Sequence, residues 1–401
     1  MLFALHSLLF GTLTFLGARY YRGNFPKWSF YLAISFKITL SFVIGYFYMI
    51  YEGGGDTLFY FNEARRFLRL TDDFSGYISN LLQFNIPWYY GEGRSLFFIK
   101  LISPIVYFSA ANYWITAIYL ALISFFAIWY LVRTLCHLHP HYKWVIYYAF
   151  VLFPSPVLWS AGIFKESIVY AALALSIALL LQLIEYEKKK YWLTIPLATS
   201  IVIIFLIKYF IVVAWLTAVC WILIDRLFKK HSLAARFGLF SIFGIVLFLL
   251  LPIVHPYLTL DRIPLTFYEN YQAIQANTDP SRNRIDLNLA PNYISLVAAV
   301  PQALLTAFIR PIFGSYSSWL LVYRVENIFI ASAFIITLLY FRSIILTRWV
   351  ISGAIFIIIL GLLYGLTTPN FGTLYRYKSS FLPYLILLIS FIPYRKYFLK
   401  K

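Results

Sequence analysis

The segment GGGDTLFYFNEARR, residues 53–66, is the polar stretch around which a long series of apolar segments is arranged. Its three glycines permit backbone angles closed to other residues, and Asp56 stands where a helix can begin, near that helix's positive end. A helix over residues 57–70 would place Asp56, Tyr60 and Glu63 on one face. The pattern predicts an amphipathic helix that lies at a membrane surface and holds two carboxylates. It also fits a simple glycine turn, helix cap and solvated helix.

The composition of the whole chain indicates that most of it is solvated by lipid. Of 401 residues, 62% are hydrophobic and 12% are charged, which is far more apolar than a soluble domain. The two cysteines, Cys136 and Cys220, give neither a disulfide framework nor a metal-ligand spacing. The first apolar run lacks a basic leader and a small-residue cleavage site, so it is predicted to be a retained span. The expected class is an all-α, polytopic integral membrane protein.

Apolar runs long enough to cross roughly 30 Å of hydrocarbon predict about eleven transmembrane helices in a single transmembrane domain, residues 1–401. The predicted spans are residues 2–18, 28–51, 112–134, 144–160, 163–184, 192–207, 209–225, 237–254, 325–341, 347–366 and 380–394. Two further stretches, 96–110 and 294–313, are predicted to be re-entrant or amphipathic segments in the outer leaflet. Counting them as full spans would invert every later loop, including the basic cluster Lys188 to Lys190.

The distribution of charge orients these spans. One set of connections carries 18 Lys and Arg against 3 acidic residues, whereas the opposite side carries 14 against 12. The basic side is predicted to be cytoplasmic. Two large loops, residues 52–111 and 255–324, then face outward, and the net charge of +18 reflects topology rather than nucleic-acid binding. The second loop is predicted to be a lid or an acceptor-recognition segment, with a disordered linker as the alternative.

Two outer turns carry ionisable residues beside apolar helices. In PSPVLWSAGIFKES, residues 154–167, Lys165 and Glu166 open a strongly apolar helix, where an ionisable pair is costly unless it faces a cavity and has a use. A snorkelling lysine beside a favourable N-terminal glutamate is the structural alternative. Lys208 separates two apolar runs and is expected at an outer turn, either as a membrane anchor or as a functional cation.

Two later motifs offer guanidinium groups. Arg310 precedes Pro311, and its rigid fork matches phosphate oxygens. In PNFGTLYRYKSSFLP, residues 369–383, Arg376 lies between tyrosines before the last span, which suits a phosphate with an apolar tail. Asn370 and Tyr375 of the same motif are further substrate-binding candidates. Snorkelling and an interfacial aromatic belt are the structural alternatives.

Taken together, these groups suit displacement at a sugar's anomeric carbon. A carboxylate takes the proton from an acceptor hydroxyl while cations stabilise the departing lipid phosphate. The predicted catalytic residues are Asp56, the proposed base, with Glu63 and Glu166. A divalent metal, Mg²⁺ or Mn²⁺, is a candidate cofactor with Asp56 and Glu166 as candidate ligands. The predicted substrate-binding residues are Tyr60, Lys165, Lys208, Arg310, Asn370, Tyr375 and Arg376.

The motifs GGGDTLFYFNEA, PSPVLWSAGIFKES and PNFGTLYRYKSSFLP resemble those of bacterial envelope-polysaccharide membrane proteins in or near the GT-C superfamily of polyprenyl-phosphate-sugar-dependent glycosyltransferases. The resemblance implies a GT-C-like fold and inverting transfer from a lipid-linked sugar to a glycan, glycolipid or protein acceptor. It places the active site on the outer face of the cytoplasmic (inner) membrane, Asp56 at the catalytic acidic position and Arg376 at a phosphate-contact position. Members usually carry the acidic motif after their first span, often as an adjacent pair. Here the motif follows the second span, and Asp56 has no acidic neighbour. The adjacent pair Asp72-Asp73 is therefore the rival candidate for the catalytic acidic position.

Two other functions remain open on the sequence. An O-antigen or exopolysaccharide polymerase or ligase would need the same groups. A transporter or flippase for lipid-linked sugars is the alternative from another class, and it is supported by Lys37, a cation inside the second predicted span. A structural membrane scaffold is a weaker third reading.

Overall fold

The structure, a computed structural model, describes residues 2–70, 73–83, 86, 89, 91–186, 191–254, 259–276, 284–312, 320–340 and 347–398. These residues form helices and no strand, with one isolated antiparallel bridge between Arg284 and Asn370. The predicted all-α class is therefore confirmed. Asp72 and the cluster Lys188 to Lys190 lie outside the described residues.

The chain divides into two compact units, Met1–Phe210 (unit 1) and Ile211–Lys401 (unit 2). The prediction of a single transmembrane domain stays a prediction. The helices of unit 1, of which the last continues past the boundary, are α1 Leu2–Leu16, α2 Lys27–Tyr46, α3 Asp56–Arg69, α4 Phe74–Leu82, α5 Gly93–Phe108, α6 Tyr113–Leu138, α7 Lys143–Tyr147, α8 Pro154–Trp159, α9 Lys165–Glu185 and α10 Thr194–Leu227. The helices of unit 2 are α11 Leu233–Val254, α12 Ile263–Ala276, α13 Tyr293–Phe308, α14 Leu321–Leu339, α15 Arg348–Thr367, α16 Phe371–Lys378 and α17 Leu382–Phe398.

The core of unit 1 is built around α6, which packs against α2 and α9. Asn112 caps α6 by accepting a hydrogen bond from the backbone amide of Ile115 at 3.1 Å. The inward face of α6 is aromatic, and Trp129 meets Phe30 of α2 edge to face at 4.8 Å between ring centroids. This scaffold fixes α3 and α5, which pack on each other, because the hydroxyl of Thr57 in α3 bonds that of Tyr113 in α6 at 2.7 Å.

In unit 2, α13 packs closely against α15. A side chain at Gly365 would place its Cβ 2.3 Å from the Ala303 carbonyl oxygen, so only glycine permits this approach. Helix α15 also contacts α16 and α17, and α14 packs on α17. The short helix α16 is thereby held by its neighbours, and Phe371, Leu374 and Tyr375 are fully buried.

Within the described residues, seven helices are long and apolar enough to cross a membrane, which gives the chain the character of a membrane protein. They are Lys27–Tyr51, Tyr113–Leu138, Lys165–Glu185, Tyr191–Leu227, Leu233–Leu250, Leu321–Leu339 and Arg348–Thr367. The count of eleven is not confirmed. The predicted spans 2–18, 144–160 and 380–394 are not among the seven, and 192–207 and 209–225 both lie within Tyr191–Leu227, which is kinked at Lys208. Residues 144–160 fall short because the helix is interrupted at Phe153, whose backbone is extended before Pro154.

The two stretches predicted as outer-leaflet segments form 16-residue helices, α5 and α13. The described part of the second loop is also structured, since it contains α12 and a segment that reaches the start of α16. There the amide of Ile285 donates to the Pro369 carbonyl at 2.7 Å. Residues 277–283 and 313–319 of this loop lie outside the described residues.

Candidate functional site

The first cluster of predicted site residues lies in unit 1, where α3 begins. Gly55 precedes the helix with φ +114°, a conformation that favours glycine, and Asp56 is the first helical residue. The expectation that Asp56 itself is the N-cap is therefore off by one residue, although its carboxylate still lies at the positive end of the helix. The polar face of α3 formed by Asp56, Tyr60 and Glu63 is only partly exposed to solvent. Tyr60 is buried, whereas Asp56 and Glu63 are half-buried.

Lys165, the first residue of α9, is the centre of this cluster. Its Nζ donates to the Ser95 hydroxyl of α5 at 2.8 Å and lies 4.0 Å from a carboxylate oxygen of Glu92. It also lies 5.4 Å from the centre of the Tyr60 ring. Two segments, α3 and the start of α5, thus converge on one lysine whose side chain is 14% exposed. This arrangement differs from a snorkelling lysine because protein oxygens and a ring, rather than headgroups, surround the charge.

Glu63 joins the same cluster through Tyr89. The Tyr89 hydroxyl interacts with Ser95, and burial raises its pKa, with the carboxylates of Glu63 and Glu92 adding to the rise. Glu63 lies 3.8 Å from Arg66 on its own helix and is 18% exposed. Its carboxylate is therefore partly accessible and lies close enough to Tyr89 to influence that hydroxyl group.

Glu166 and Lys208 form a buried ion pair. Lys208 Nζ lies 2.7 Å from Glu166 Oε1, and each side chain is 8% exposed. Lys208 has non-helical backbone angles (φ −146°, ψ 73°), so the predicted break is present as a kink between the two helical segments that make up α10. The anchor role considered for Lys208 is wrong, because its ammonium points to a carboxylate of the same unit. Such a pair is stable only while both partners are present.

The surroundings of Glu166 bear on the predicted metal site. Within the described part of the chain, no group of three or more His, Cys, Asp or Glu side chains comes together in a way that could hold a metal ion. One oxygen of Glu166 is already engaged by Lys208. The described residues do not fit a metal site centred on Glu166.

The second cluster lies in unit 2, around a stacked tyrosine pair. The rings of Tyr323 in α14 and Tyr375 in α16 are parallel, with centroids 3.8 Å apart. The Tyr375 hydroxyl donates to the Arg310 carbonyl at 3.4 Å. The Arg310 guanidinium carbon lies 6.0 Å from the ring of Phe371, one turn before Tyr375 on α16. Arg310 therefore lies along one face of α16.

The other predicted residues of this motif have different positions. Asn370 caps α16, with its side-chain oxygen accepting from the amides of Gly372 at 2.7 Å and Thr373 at 3.3 Å. That oxygen is thus committed to the helix, which weakens the substrate-binding prediction for Asn370. Tyr375 is completely buried and acts as packing for the cluster. Arg376 is half-buried, with its guanidinium carbon 5.5 Å from the Tyr377 ring.

Several members of the clusters were not predicted. Glu92 and Ser95 of unit 1 lie in the first loop without a recognisable motif. In unit 2, Lys378, Glu326 and Asn327 are 0%, 5% and 0% exposed. The available signal was the pair Glu326-Asn327 at the start of an apolar run, since polar groups inside a lipid-solvated helix indicate a function or a partner.

The fold and the two clusters define a helical protein of membrane type with a mixed-charge cluster in one unit and a cation-rich, aromatic cluster in the other. No protein-family model, curated protein or solved structure matches the chain. The GT-C resemblance therefore rests on the motifs alone.

Proposed function

We propose that the protein is a membrane glycosyltransferase that moves a sugar from a polyprenyl-phosphate-type donor to an acceptor hydroxyl of an envelope glycan, glycolipid or protein. The observation that carries the proposal is the convergence of α3 and α5 on Lys165 of α9. Its ammonium is held by Ser95, lies 4.0 Å from the exposed carboxylate of Glu92, and contacts the ring of Tyr60 on the helix that also carries Asp56 and Glu63. The cluster thereby offers the two groups that this reaction needs. One is a proton acceptor, and the other is a cation for a leaving phosphate.

The proposed step is a single displacement. Asp56, at the positive end of α3, accepts the proton of the acceptor hydroxyl, and the acceptor oxygen forms a bond to the anomeric carbon. The bond from that carbon to the phosphate oxygen breaks, and its electron pair leaves with the phosphate. Lys165 stabilises the negative charge that develops on the phosphate, while the carboxylate of Glu63 offsets part of the positive charge of the cluster. Inversion at the anomeric carbon follows from one displacement.

Unit 2, taken by itself, has cations that suit a phosphate with an apolar chain, which is the chemical class of the proposed donor. Arg310 and Arg376 each lie over an aromatic ring, and Arg310 is held through its backbone by Tyr375. Guanidinium forks bind phosphate oxygens in pairs, and rings beside them suit an apolar chain.

The direct test uses the purified full-length protein in proteoliposomes with a panel of polyprenyl-phosphate sugars and acceptor glycans. We expect a new glycosidic bond and free polyprenyl phosphate, without any ion gradient. Mass spectrometry of the extracted lipids and acceptors measures both products. Absence of a product across the panel, with the protein folded, would remove the assignment.

A transporter of lipid-linked sugars is the second candidate, and Lys37 is the observation that favours it. This lysine of α2 is 2% exposed and donates to the Ser160 hydroxyl and, at 3.3 Å, to the Val157 carbonyl. A cation inside a span held by neutral oxygens is costly without a use. Movement of a fluorescent lipid-linked sugar between leaflets, with no new bond formed, would favour transport over transfer.

The proposed location is the cytoplasmic (inner) membrane, with the first and second large loops outside. Arg262 and Lys229 are both exposed and belong to predicted opposite sides. In a variant lacking Cys136 and Cys220, we expect an impermeant maleimide to label Arg262→Cys in intact spheroplasts and Lys229→Cys only after permeabilisation. The reverse pattern would invert the proposed orientation.

A further inference from the structure

A chain of hydrogen bonds in unit 2 connects the end of α16 with the segment that carries Arg310. Lys378 Nζ donates to Asn327 Oδ1 at 3.4 Å, and Asn327 Nδ2 donates to the Pro311 carbonyl at 3.0 Å. The Tyr375 hydroxyl bonds the Arg310 carbonyl from the other side. The backbone on both sides of the Arg310–Pro311 peptide is thus held by side chains of α14 and α16.

The lysine of this chain is entirely enclosed. Lys378 is 0% exposed, and its Nζ lies 4.4 Å from the centre of the Tyr375 ring. Burial lowers the pKa of Lys378 from 10.5 to about 7, and the nearby carboxylate of Glu326 opposes that shift. Other ionisable residues on the segments around α16 are Tyr323 and Arg324 of α14, Arg348 and Tyr364 of α15, Tyr384, Tyr394, Arg395, Lys396 and Tyr397 of α17, and Arg310 after α13.

A buried amide can present either end to its neighbours, and its partners decide which. Lysine has only donors, so Lys378 fixes the oxygen of Asn327 toward α16 and leaves the NH₂ group for the Pro311 carbonyl. The bond to Asn327 Oδ1 is stronger when the lysine is charged, because charge-assisted hydrogen bonds are about twice as strong as neutral ones. The protonation of Lys378 therefore bears on how firmly the Arg310 segment is held.

We propose that Lys378, acting through Asn327, is a positioning residue that holds Arg310 for binding the phosphate of a lipid. This inference rests on the proposed function, in which Arg310 binds the donor phosphate. It adds two residues to that site and gives them a role distinct from contact with the ligand. It also predicts a pH dependence. Binding weakens as the pH rises through about 7, because the lysine loses its charge.

The experiment measures binding of radiolabelled polyprenyl phosphate to the full-length protein in nanodiscs, with the uncharged polyprenol as the control ligand. Arg310→Ala tests the site, and Lys378→Met and Asn327→Leu test the positioning chain from its two ends. Thr337→Val is the matched control, since it removes a buried hydroxyl of the same helix α14 that bonds Ile389 and not the Arg310 segment. All variants are compared at matched thermal stability. Because the ligand itself titrates, the result is expressed at each pH as the ratio of the dissociation constants of variant and wild type, in which the ligand's titration cancels.

We expect about tenfold weaker binding for Lys378→Met and for Asn327→Leu, as for loss of one hydrogen bond to a charged group, with Thr337→Val unchanged. The wild-type advantage over Lys378→Met should be larger at pH 6 than at pH 8.5. Adding Lys378→Met to Arg310→Ala should cost little more, because both changes act on the same contact.

Two different results would contradict the proposal, and they distinguish failure of the positioning role from failure of the phosphate site. If Arg310→Ala weakens binding while Lys378→Met and Asn327→Leu bind like the wild type at every pH, the positioning role is wrong and the donor site stands. If the wild type does not prefer polyprenyl phosphate to polyprenol, or if Arg310→Ala binds normally, the phosphate site itself is wrong. Should Lys378→Met not fold, the wild-type pH profile measured with a phosphodiester lipid still decides, since that ligand keeps its charge throughout and a flat profile overturns the proposal.

Discussion

The clusters of unit 1 and unit 2 surround their cations differently. In unit 1, the ammonium groups of Lys165 and Lys208 lie near the carboxylates of Glu92 and Glu166, and Lys165 also contacts an aromatic ring. In unit 2, Arg310 and Arg376 lie over aromatic rings, and Lys378 lies near both a ring and a carboxylate. On the proposed function, we expect the carboxylates of unit 1 to accept protons and the guanidinium groups of unit 2 to bind anions.

The largest expected effect belongs to the proposed base. Asp56→Asn keeps the shape of the side chain and removes its ability to accept a proton, so turnover should fall by roughly 10²–10⁴-fold with donor binding unchanged. Asp73→Asn is the matched control, since Asp73 caps α4 and asparagine caps equally well. Initial-rate assays on both variants decide the point. Normal turnover in Asp56→Asn with loss in Asp73→Asn would move the base to the rival pair.

The buried pair of unit 1 should be the most sensitive to removal of one partner. Glu166→Gln or Lys208→Met alone should lower the free energy of unfolding by about 3–5 kcal/mol, because a charge is left buried without its partner. The double variant should recover part of that loss. Denaturant unfolding in detergent measures the free energy of unfolding of the wild type, the two single variants and the double variant, which completes a double-mutant cycle.

An exposed ion pair offers the comparison for this result. Arg284 and Asp286 of unit 2 lie 2.7 Å apart with side chains 37% and 55% exposed, so Arg284→Gln should cost about 0–1 kcal/mol. Equal costs for Lys208→Met and Arg284→Gln would mean that the Glu166–Lys208 pair is solvated.

The anion-binding role of unit 2 predicts a graded response at Arg376. Arg376→Ala should weaken polyprenyl phosphate binding by about 1.5–3 kcal/mol, the range for hydrogen bonds to charged groups. Arg376→Lys should restore binding only in part, since a point charge cannot reproduce the guanidinium fork. Binding in nanodiscs measures both, with Arg284→Gln as a control for loss of one arginine from the same unit. Full rescue by lysine would indicate that position 376 needs only a positive charge, without the paired hydrogen bonds of a guanidinium group.

The smallest effect concerns stability and pH at Lys378. Its pKa of about 7 in the folded protein lies below the ordinary 10.5, so the cost of burying its charge is fully present below pH 7. That cost is relieved as the pH rises from 7 toward 10.5, because the unfolded chain then binds more protons. Relative to Lys378→Met, the wild type should gain about 1 kcal/mol between pH 7 and 8.

Unfolding of both proteins at the two pH values measures this change. A Glu326→Gln background keeps the neighbouring carboxyl group from titrating. If the difference in free energy of unfolding between the wild type and Lys378→Met stays constant, or falls as the pH rises, the amine is solvated and titrates normally.

Some predictions located a feature of the backbone without indicating what the side chain contacts. The sequence predicted a break at Lys208, and the structure has a kink between two helical segments there. The contact of its ammonium could not be predicted, because Glu166 lies 42 positions away in the chain. Asn370 was predicted to bind substrate, yet its oxygen caps α16, because an asparagine beside a helix start bonds its nearest amides first.

By itself, the sequence determined the helical membrane character, the polar stretch at residues 53–66 and the ionisable residues at the starts of α3 and α9. These follow from local composition and periodicity, which do not depend on distant residues. Only the tertiary structure joined Lys165 to Ser95, Lys208 to Glu166, and Lys378 through Asn327 to the Arg310 segment. The physical reason is that a buried charge takes its partner from whichever helix packs against it, and helix packing is decided by side chains far apart in the chain.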